Sequence, residues 1–414
     1  MDERAVVTGF LRNGGDVLLL RRSDEVGSYG RKWGAVAGYA EGDPAGAIRE
    51  EIREETGIDP QRCELVRSGD SFSVEDANLD RRWIVHPFLF DCPTRSVRLD
   101  WEHTDFEWTS PTELLTRETV PNLWNSYDAV RPTVETVRTD TEHGSAHLSI
   151  RALEVLRDEA GLLVAGRASA FEGIEAVATA LLEARPAMTV VANRIHRTMD
   201  AADGSPEAVE RSARKAVERA TEIERKTAEN LVEWLDSRPA GTLSRSGTVR
   251  RAVREGRPTE LLIPESRPGR EGVSVAAELA SAVPVTLTTD AAFPDQLTKL
   301  EDPVLVLGAD SILPDGSVIN KVGTRPAATT AKSAGIPVVV GAATDKVRPD
   351  HETDFEPRPP SELYDGFASI SVANPTFELT PPTAIDVIVT ESGEFEPDEL
   401  EAIASAHRTY RNWQ

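Results

Sequence analysis

Three glutamates near residue 50 are spaced as metal ligands on a helix could be. Glu51, Glu54 and Glu55 stand at i, i+3 and i+4, and residues at these spacings share one helix face. Like charges on one face repel each other. A hard divalent cation removes that repulsion, and Mg²⁺ takes carboxylate oxygens together with substrate phosphates. Gly57 is placed to end the helix. The spacing alone fits a solvated acidic face equally well.

The surrounding sequence, residues 38–58, resembles the Nudix box, a glycine followed by a helix that ends in Arg-Glu-apolar-x-Glu-Glu-x-Gly-apolar. The matching residues are Glu51, Ile52, Glu54, Glu55, Gly57 and Ile58. Two features depart from the box: Glu50 takes the place of its arginine, with Arg49 beside it, and residues 38–43 fit only after a one-residue shortening. The resemblance implies an α/β/α sandwich with a mixed sheet. It also implies hydrolysis of a nucleoside diphosphate-linked substrate with Mg²⁺ or Mn²⁺, using the three glutamates as metal ligands and catalytic residues.

Other segments of this region support that interpretation. Residues 6–11 and 17–22 read as apolar strands around an Asn13-Gly14-Gly15 turn. Residues 82–90 form a third predicted strand, in which Pro87 indicates an edge or a bulge, and residues 96–100 form a short fourth one. Trp33 precedes the box, as it does in many Nudix domains.

A late acidic loop supplies further candidates. Nudix hydrolases often place an extra ligand or general base there, which implies Glu102 as a catalytic residue, with Glu107 second. A plain surface acid is the alternative for Glu102. His86 and His103 could take part in acid–base chemistry or be structural.

The composition restricts the function class. A chain of 414 residues implies more than one domain. Lys and Arg total 46 against 70 Asp and Glu, a net charge of −24, and only 7 of the 46 are lysine. This pattern favours adaptation to high intracellular salt, although an ordinary acidic cytosolic protein fits too. It argues against a general nucleic-acid surface, which would be basic.

Cysteine content and hydropathy indicate which kinds of site and which cellular location to expect. Cys63 and Cys92 are the only cysteines, which predicts neither a disulfide scaffold nor a multi-cysteine zinc site. No apolar run approaches the ~18 residues of a membrane helix, and the N-terminus lacks signal-peptide features. We therefore expect a cytoplasmic protein without membrane contact.

The pattern changes along the chain and predicts four segments. Residues 1–128 form the Nudix-like domain, 129–140 a linker helix, 141–235 a helical subdomain and 236–414 a Rossmann-like domain. The helical segment includes a long helix opened by Ser205-Pro206, and we expect it to form a packing or dimer surface. In the last segment short apolar strands alternate with helices, which predicts a doubly wound parallel sheet with ligands at the carboxyl ends of its strands.

Residues 141–414 also resemble a known family. It joins the alpha subunit of translation initiation factor 2B, ribose-1,5-bisphosphate isomerase and methylthioribose-1-phosphate isomerase. The matching runs are residues 265–268 with Gly272, 308–312, 315–324 and 374–391. The resemblance implies a homodimer or higher homo-oligomer formed through the C-terminal domain.

The resemblance assigns candidate residues. Asp310 matches an aspartate that moves protons in the isomerases, whereas Ser244 replaces their cysteine and Arg245 their asparagine. His143-Gly144 stands where they carry a phosphate-gripping arginine-glycine. A serine hydroxyl titrates far above a thiol and is a poor proton shuttle at neutral pH. The implied contacts to a phosphorylated sugar or nucleotide are Arg185, Ser244, Arg245, Asn320, Lys321 and Lys346. The alternatives are local ion pairs for the lysines and a helix cap for Asp310.

Three functional hypotheses result. The first is a Mg²⁺-dependent hydrolase whose second domain binds a phosphorylated sugar or nucleotide. The second is a non-catalytic ligand-sensing or translation-regulatory module. The third is a sugar-phosphate isomerase that uses Asp310 with Ser244.

Overall fold

The computed structural model describes residues 2–40, 42–77, 79–167, 169, 171–353, 355 and 358–413. The chain divides into two compact units that are discontinuous in sequence. Unit 1 comprises Met1–Val134, Leu153–Val177 and Gly204–Glu218, and unit 2 comprises Glu135–Ala152, Ala178–Asp203 and Arg219–Gln414.

A mixed eight-stranded sheet organises unit 1. Its main path runs β3-β2-β1-β7-β5, and β4, β6 and β8 pair with β1, β7 and β2. The strands are β1 (Asp2–Asn13), β2 (Asp16–Arg22), β3 (Trp33–Gly34), β4 (Val36–Tyr39), β5 (Glu64–Ser68), β6 (Phe72–Asp76), β7 (Arg81–Asp91) and β8 (His103–Thr109). Two helices, α1 (Pro44–Thr56) and α2 (Leu123–Asp128), complete the part before residue 130.

The predicted hairpin at the start of the chain is confirmed. Strands β1 and β2 pair antiparallel, with Asn13 opposite Asp16. The two residues between them, Gly14 and Gly15, both have positive φ, at 61° and 93°. A two-residue turn of this kind needs positive φ at both positions, which glycine adopts without a steric penalty.

The third predicted strand is confirmed as β7, but its proline is not at an edge. β7 is central, because it pairs in parallel with β1 along one side and with β5 and β6 along the other. On the second side, β5 pairs with residues 88–91 and β6 with residues 81–85. Pro87 lies between the residues that pair with β6 and those that pair with β5. Its missing N–H therefore leaves no hydrogen bond to β5 or β6 unmade.

Two other expectations for this unit are corrected. Residues 96–100 form no strand; Arg98 instead donates its backbone N–H to the Thr56 carbonyl at the end of α1, at 2.8 Å. Cys63 and Cys92 form a disulfide, with Cα atoms 4.5 Å apart. The cysteine count gave no sign of this pair, which the sheet brings together across 29 residues of sequence.

Helices dominate the chain between residues 134 and 235, as predicted. They are α3 (Val134–Thr139), α4 (Ser145–Val164), α5 (Ile174–Ala184), α6 (Thr189–Asp200) and α7 (Pro206–Leu235). Among the described residues, no helix is both long and apolar enough to cross a membrane.

The α/β part of unit 2 confirms the predicted sheet. Seven strands run in the order β11-β10-β9-β12-β15-β17-β18, and each pairing is parallel except the last. The strands are β9 (Ala240–Gly241), β10 (Leu261–Pro264), β11 (Val285–Thr288), β12 (Val304–Leu307), β15 (Val338–Gly341), β17 (Val387–Thr390) and β18 (Gly393–Phe395). A small antiparallel sheet holds β13 (Ser311–Ile312), β14 (Val318–Lys321) and β16 (Phe377–Thr380).

Five helices accompany this sheet. They are α8 (Gly247–Gly256), α9 (Glu271–Leu279), α10 (Phe293–Leu297), α11 (Thr324–Ser333) and α12 (Glu401–Thr409). Fully buried strand residues such as Val306 and Val339 form the core between helices and sheet. Strands buried on both faces read as continuous apolar runs, which is why the sequence located them.

Candidate functional sites

Helix α1 positions the three glutamates of unit 1. Pro44 begins the helix, and Gly57 ends it at φ 66°, donating its N–H to the Arg53 carbonyl. Ile48 and Ile52 are fully buried in the unit 1 core. The apolar side anchors the helix and thereby sets the orientation of the acidic side.

The three carboxylates lie in different environments. Glu55 is only 2% exposed and accepts a hydrogen bond from the Ala37 backbone N–H at 3.2 Å. Glu51 is half-buried, and Glu54 is exposed. The helix therefore presents one inner, one intermediate and one outer carboxylate.

Gly38, on β4, leaves space for the carboxylate of Glu51, the half-buried glutamate. A Cβ atom at Gly38 would lie 1.7 Å from Glu51 Oε1 and 2.1 Å from its Cδ. No side chain larger than hydrogen fits there while Glu51 keeps its position. Gly38 thus creates the space that holds the Glu51 carboxylate against the strand.

Burial and mutual repulsion dominate the electrostatics of the acidic face, with Arg22 offsetting part of the effect at Glu55. Burial, followed by the charges of Glu54, Glu102 and Asp100, raises the pKa of Glu51 to about 7. Burial and the neighbouring Glu51 raise the pKa of Glu55 well above its usual range. A divalent cation would relieve this repulsion.

These donors fit a hard cation in chemistry and charge. Glu51, Glu54 and Glu55 would hold it, through oxygens of the type that Mg²⁺ and Mn²⁺ prefer. A second group of possible metal ligands, whose atoms lie close together, is found in unit 2. Among the described residues it consists of Asp140, His143 and His147, whose ligand atoms all lie within 4.8 Å of one another.

A cavity of about 220 Å³ adjoins the acidic face of α1. Glu51, Glu102 and Arg22 provide its charged lining, while Tyr39 and Trp83 provide an aromatic wall. The two rings lie 6.4 Å apart, and Tyr39 is 54% exposed. An anionic group near the acids and a flat apolar group against the rings would match this lining.

Hydrogen bonds fix the inner part of the aromatic wall. Trp83 Nε1 donates to Tyr29 Oη at 3.1 Å, and that hydroxyl donates to Asp76 Oδ2 at 2.6 Å. The Arg81 guanidinium lies 5.4 Å from the Trp83 ring centroid. The indole is therefore held in place before any ligand arrives.

The remaining candidates of unit 1 are engaged elsewhere. Glu107 forms an ion pair with Arg117 at 2.5 Å, which lowers the pKa of that carboxyl. His103 is buried, and its Nδ1 lies 2.9 Å from Asp100 Oδ1; burial lowers the pKa of the imidazole. Neither Glu107, His103 nor His86 lines the cavity.

A second cavity, of about 200 Å³, lies in unit 2. It brings together most of the candidates from residues 141–414: Ser244, Arg245, Asp310, Asn320, Lys321 and Lys346. Their elements are far apart in sequence, but the strand ends and the small sheet converge here. Arg358, Glu271 and Ser145 also line it, and none of the three belongs to the predicted site residues.

Both lysines are buried and anchored. Lys346 Nζ donates to the Ala309 carbonyl at 2.6 Å, and Lys321 Nζ pairs with Glu271 Oε1 at 2.7 Å. They are 6% and 2% exposed. The ion-pair alternative thus holds for Lys321, and both ammonium groups still face the cavity lining.

Asp310 lies among these charges. Burial raises the pKa of its carboxyl, while Lys346, Lys321 and a hydrogen bond with Ser145 act in the opposite direction. Asp310 is not the N-cap residue of a helix, because the element that follows it is the strand β13. Its carboxylate instead hydrogen-bonds Ser145, the first residue of α4.

Two helix N-termini border the same cavity. Helix α4 begins at Ser145, and α8 begins at Gly247 after Ser246, whose Oγ accepts the Val249 N–H at 3.3 Å. Helix N-termini attract anions through their free N–H groups and the helix dipole. Together with the lysines, they make the cavity suitable for a phosphorylated ligand.

Arg185 is the predicted ligand residue that does not line this cavity. Its Nε donates to the Val137 carbonyl at 2.8 Å, and its Nη2 donates to the Asp140 carbonyl. The guanidinium therefore braces the chain segment between α3 and α4. No local sequence signal distinguishes such a role from phosphate binding.

Comparison with known proteins matches the two regions separately. A family model described as the Initiation factor 2 subunit family matches residues 141–397, and a NUDIX domain model matches residues 2–130. A ribose 1,5-bisphosphate isomerase of Haloterrigena turkmenica is 34% identical over 305 residues, which are 66% of this chain and 91% of the relative.

Two crystal structures from Pyrococcus horikoshii OT3 share the fold. Translation initiation factor eIF-2B gives a TM-score of 0.54 at 22% identity and covers 64% of this chain and 95% of that one. 5-Methylthioribose 1-phosphate isomerase gives 0.53 at 19% identity, with 74% and 90% covered. The chain belongs to the Initiation factor 2 subunit family and carries a NUDIX domain ahead of the family region.

Proposed function

We propose that the NUDIX domain hydrolyses a nucleoside diphosphate-linked substrate with Mg²⁺ or Mn²⁺, and that the unit 2 cavity binds a phosphorylated sugar or nucleotide. The observation that carries the hydrolase proposal is the Glu51 carboxylate. It is seated in the space that Gly38 leaves, beside Glu54 and Glu102, at the edge of an aromatic-walled cavity.

Glu51, Glu54 and Glu55 would hold the cation. When bound, it would neutralise phosphate charge and favour attack by water at phosphorus. Arg22, which also lines the cavity, would attract the anionic diphosphate. Tyr39 and Trp83 would bind the flat base by stacking, and Glu102 would accept the proton of the attacking water.

The test is release of phosphate or nucleoside monophosphate from a panel of nucleoside diphosphate derivatives. The acidic composition calls for high salt, with Mg²⁺ or Mn²⁺ added. Glu54→Gln/Glu55→Gln should abolish metal-dependent release, whereas Glu50→Gln, an exposed change on the same helix, should preserve it. Absence of turnover across the panel, or turnover unaffected by the double substitution, would overturn the hydrolase.

The binding proposal rests on the charged lining of the second cavity. Lys321 and Lys346, two of only 7 lysines, are buried there beside the N-termini of α4 and α8. Ribose 5-phosphate and ribose 1,5-bisphosphate should raise the melting temperature. Lys321→Gln/Lys346→Gln should remove that shift, while Lys299→Gln/Lys332→Gln, which changes two exposed lysines, should retain it. An equal shift in both double variants would contradict this site.

We propose binding rather than isomerisation, although the relatives are named isomerases. Ser244 lines the cavity, and its backbone N–H donates to Ser266 Oγ at 2.9 Å. A serine hydroxyl is a far weaker acid than a thiol, so it is a poor proton shuttle at neutral pH. Conversion of ribose 1,5-bisphosphate that Asp310→Asn abolishes would favour the isomerase instead.

Two further parts of the proposal come from family membership. We expect a homodimer or higher homo-oligomer through the C-terminal domain, which light scattering in high salt would measure. If neither turnover nor conversion is found but sugar phosphates bind, the non-catalytic ligand-sensing module is the better description. A role in translation would then need its own partner experiment.

A further inference from the structure

The segment that leads into α4 carries a cluster distinct from the acidic face of α1. We propose that Asp140, His143 and His147 form a binding site for a transition-metal dication of the Zn²⁺ type, beside the unit 2 cavity. This inference does not depend on the hydrolase proposal, because it uses other residues and a different class of metal.

The geometry brings three ligand atoms together. One atom from each of Asp140, His143 and His147 lies within 4.8 Å of the others. The two imidazole rings are stacked, with centroids 4.1 Å apart and planes at 15°. A tetrahedral ion with ligand bonds of about 2.1 Å needs ligands about 3.4 Å apart. Because an imidazole ligates through a lone pair in its ring plane, the two stacked rings must turn apart to share one ion, and the side chains start close enough together to do so.

The start of α4 brings the two histidines together. His147 lies in the first turn of that helix, whereas His143 lies two residues before the helix begins at Ser145. The turn into the helix, rather than helical periodicity, places the imidazoles side by side. Asp140 comes three residues before His143 and adds a negative charge, which a dication requires.

The segment that contains Asp140 and His143 is held in position by hydrogen bonds within the protein, which form without a bound metal ion. Asp140 Oδ1 accepts the backbone N–H groups of Glu142 and His143, each at 2.9 Å. Arg185 Nη2 donates to the Asp140 carbonyl. Asp140 Oδ2 also lies 2.8 Å from His143 Nδ1, a hydrogen bond that an ion bound to both of these atoms would replace. Such preorganisation reduces the entropy lost on binding.

The ligand types select the metal. Imidazole nitrogen suits Zn²⁺, Ni²⁺, Cu²⁺ or Fe²⁺, whereas Mg²⁺ prefers an all-oxygen shell. Three protein ligands leave at least one coordination position open. His143 also lines the cavity that holds Lys321 and Lys346. A phosphate or hydroxyl oxygen of the ligand in that cavity is the group we expect at the open position.

The test uses the full-length protein without a polyhistidine tag, and Co²⁺ as a spectroscopic probe. Glu54→Gln/Glu55→Gln serves as the background, so that the acidic face of α1 contributes no binding. We expect one equivalent of Co²⁺ with the visible bands of a nitrogen-ligated site, displaced by Zn²⁺. Inorganic phosphate should change those bands.

Variants separate this site from adventitious binding. His143→Ala/His147→Ala should weaken Co²⁺ binding at least about 100-fold, and Asp140→Asn about tenfold or more. His351→Ala, an exposed histidine elsewhere in unit 2, should bind like the parent. Circular dichroism would check that each variant is folded. Equal Co²⁺ affinity in the parent and the double-histidine variant would overturn the site. Bands insensitive to phosphate would overturn its link to the cavity.

Discussion

Gly38 offers the sharpest test of the acidic site, because one methyl group should displace one carboxylate. In Gly38→Ala the new Cβ would lie 1.7 Å from Glu51 Oε1, whereas ordinary contact begins at 3.4 Å. The carboxylate must therefore move by about 1.7 Å, the difference between those two distances. A misplacement of about 1 Å costs roughly 100-fold in rate, or about 2.7 kcal/mol.

Stability should change little in this variant. The clashing atoms belong to the far end of a flexible side chain, and Gly38 does not have a positive φ. Alanine also restricts the unfolded chain, which favours folding by about 0.4–1 kcal/mol. We therefore expect a melting temperature equal to or slightly above that of the parent, together with the loss of function.

Gly34→Ala is the matched control. It adds the same methyl group to β3, the strand that precedes β4 in sequence, where the nearest atom would be Val120 Cγ1 at 3.8 Å. The assays are kcat/KM for metal-dependent hydrolysis and Mn²⁺ affinity by electron paramagnetic resonance, which needs no turnover. If Gly38→Ala matches Gly34→Ala in both assays, the Glu51 seat does not serve metal binding and the reasoning fails.

Two further predictions concern charge. Because the pKa of Glu51 is raised to about 7 from its usual 4.5, folding of the metal-free protein should become less favourable as pH rises through that interval. Glu51→Gln should flatten the melting temperature between about pH 5 and pH 8, and an unchanged slope would refute the assignment. In unit 2, Asp345 is fully buried and pairs with Arg194 at 2.8 Å and with Arg197. Asp345→Asn should cost about 3–5 kcal/mol in urea unfolding. The exposed Glu222→Gln should cost at most about 1 kcal/mol, and equal losses would contradict this difference in burial.

Features that depend on neighbours in sequence were predictable. The i, i+3, i+4 spacing located α1 and its acidic face, and the apolar runs located β10, β12 and β15. Gly57 ended the helix where expected, because a left-handed C-cap favours glycine. Each of these depends on backbone geometry over a few residues, which the sequence carries directly.

Features that depend on pairing across the sheet were not predictable. Arg22, Tyr39 and Trp83 come from β2, β4 and β7, and only strand order brings them to one cavity. Nothing near any of them in sequence distinguishes a cavity wall from a surface. The position of Arg185 outside the unit 2 cavity was unpredictable for the same reason, because its partners are carbonyls about 45 residues away. A charged side chain looks the same in sequence whether it binds phosphate or backbone.

The three glutamates of α1 show what the fold adds to a motif. Their spacing makes them equivalent in sequence, yet Glu55 is 2% exposed, Glu51 is half-buried and Glu54 is open to solvent. Burial raises the cost of charge, so the inner two resist ionisation most and gain most from a cation. The charge of Glu54 strengthens that effect at Glu51. Removing Glu54 should therefore lower the pKa of Glu51. Removing Glu51 should reduce the repulsion on the buried Glu55 carboxylate, but it would also remove one of the three proposed metal ligands.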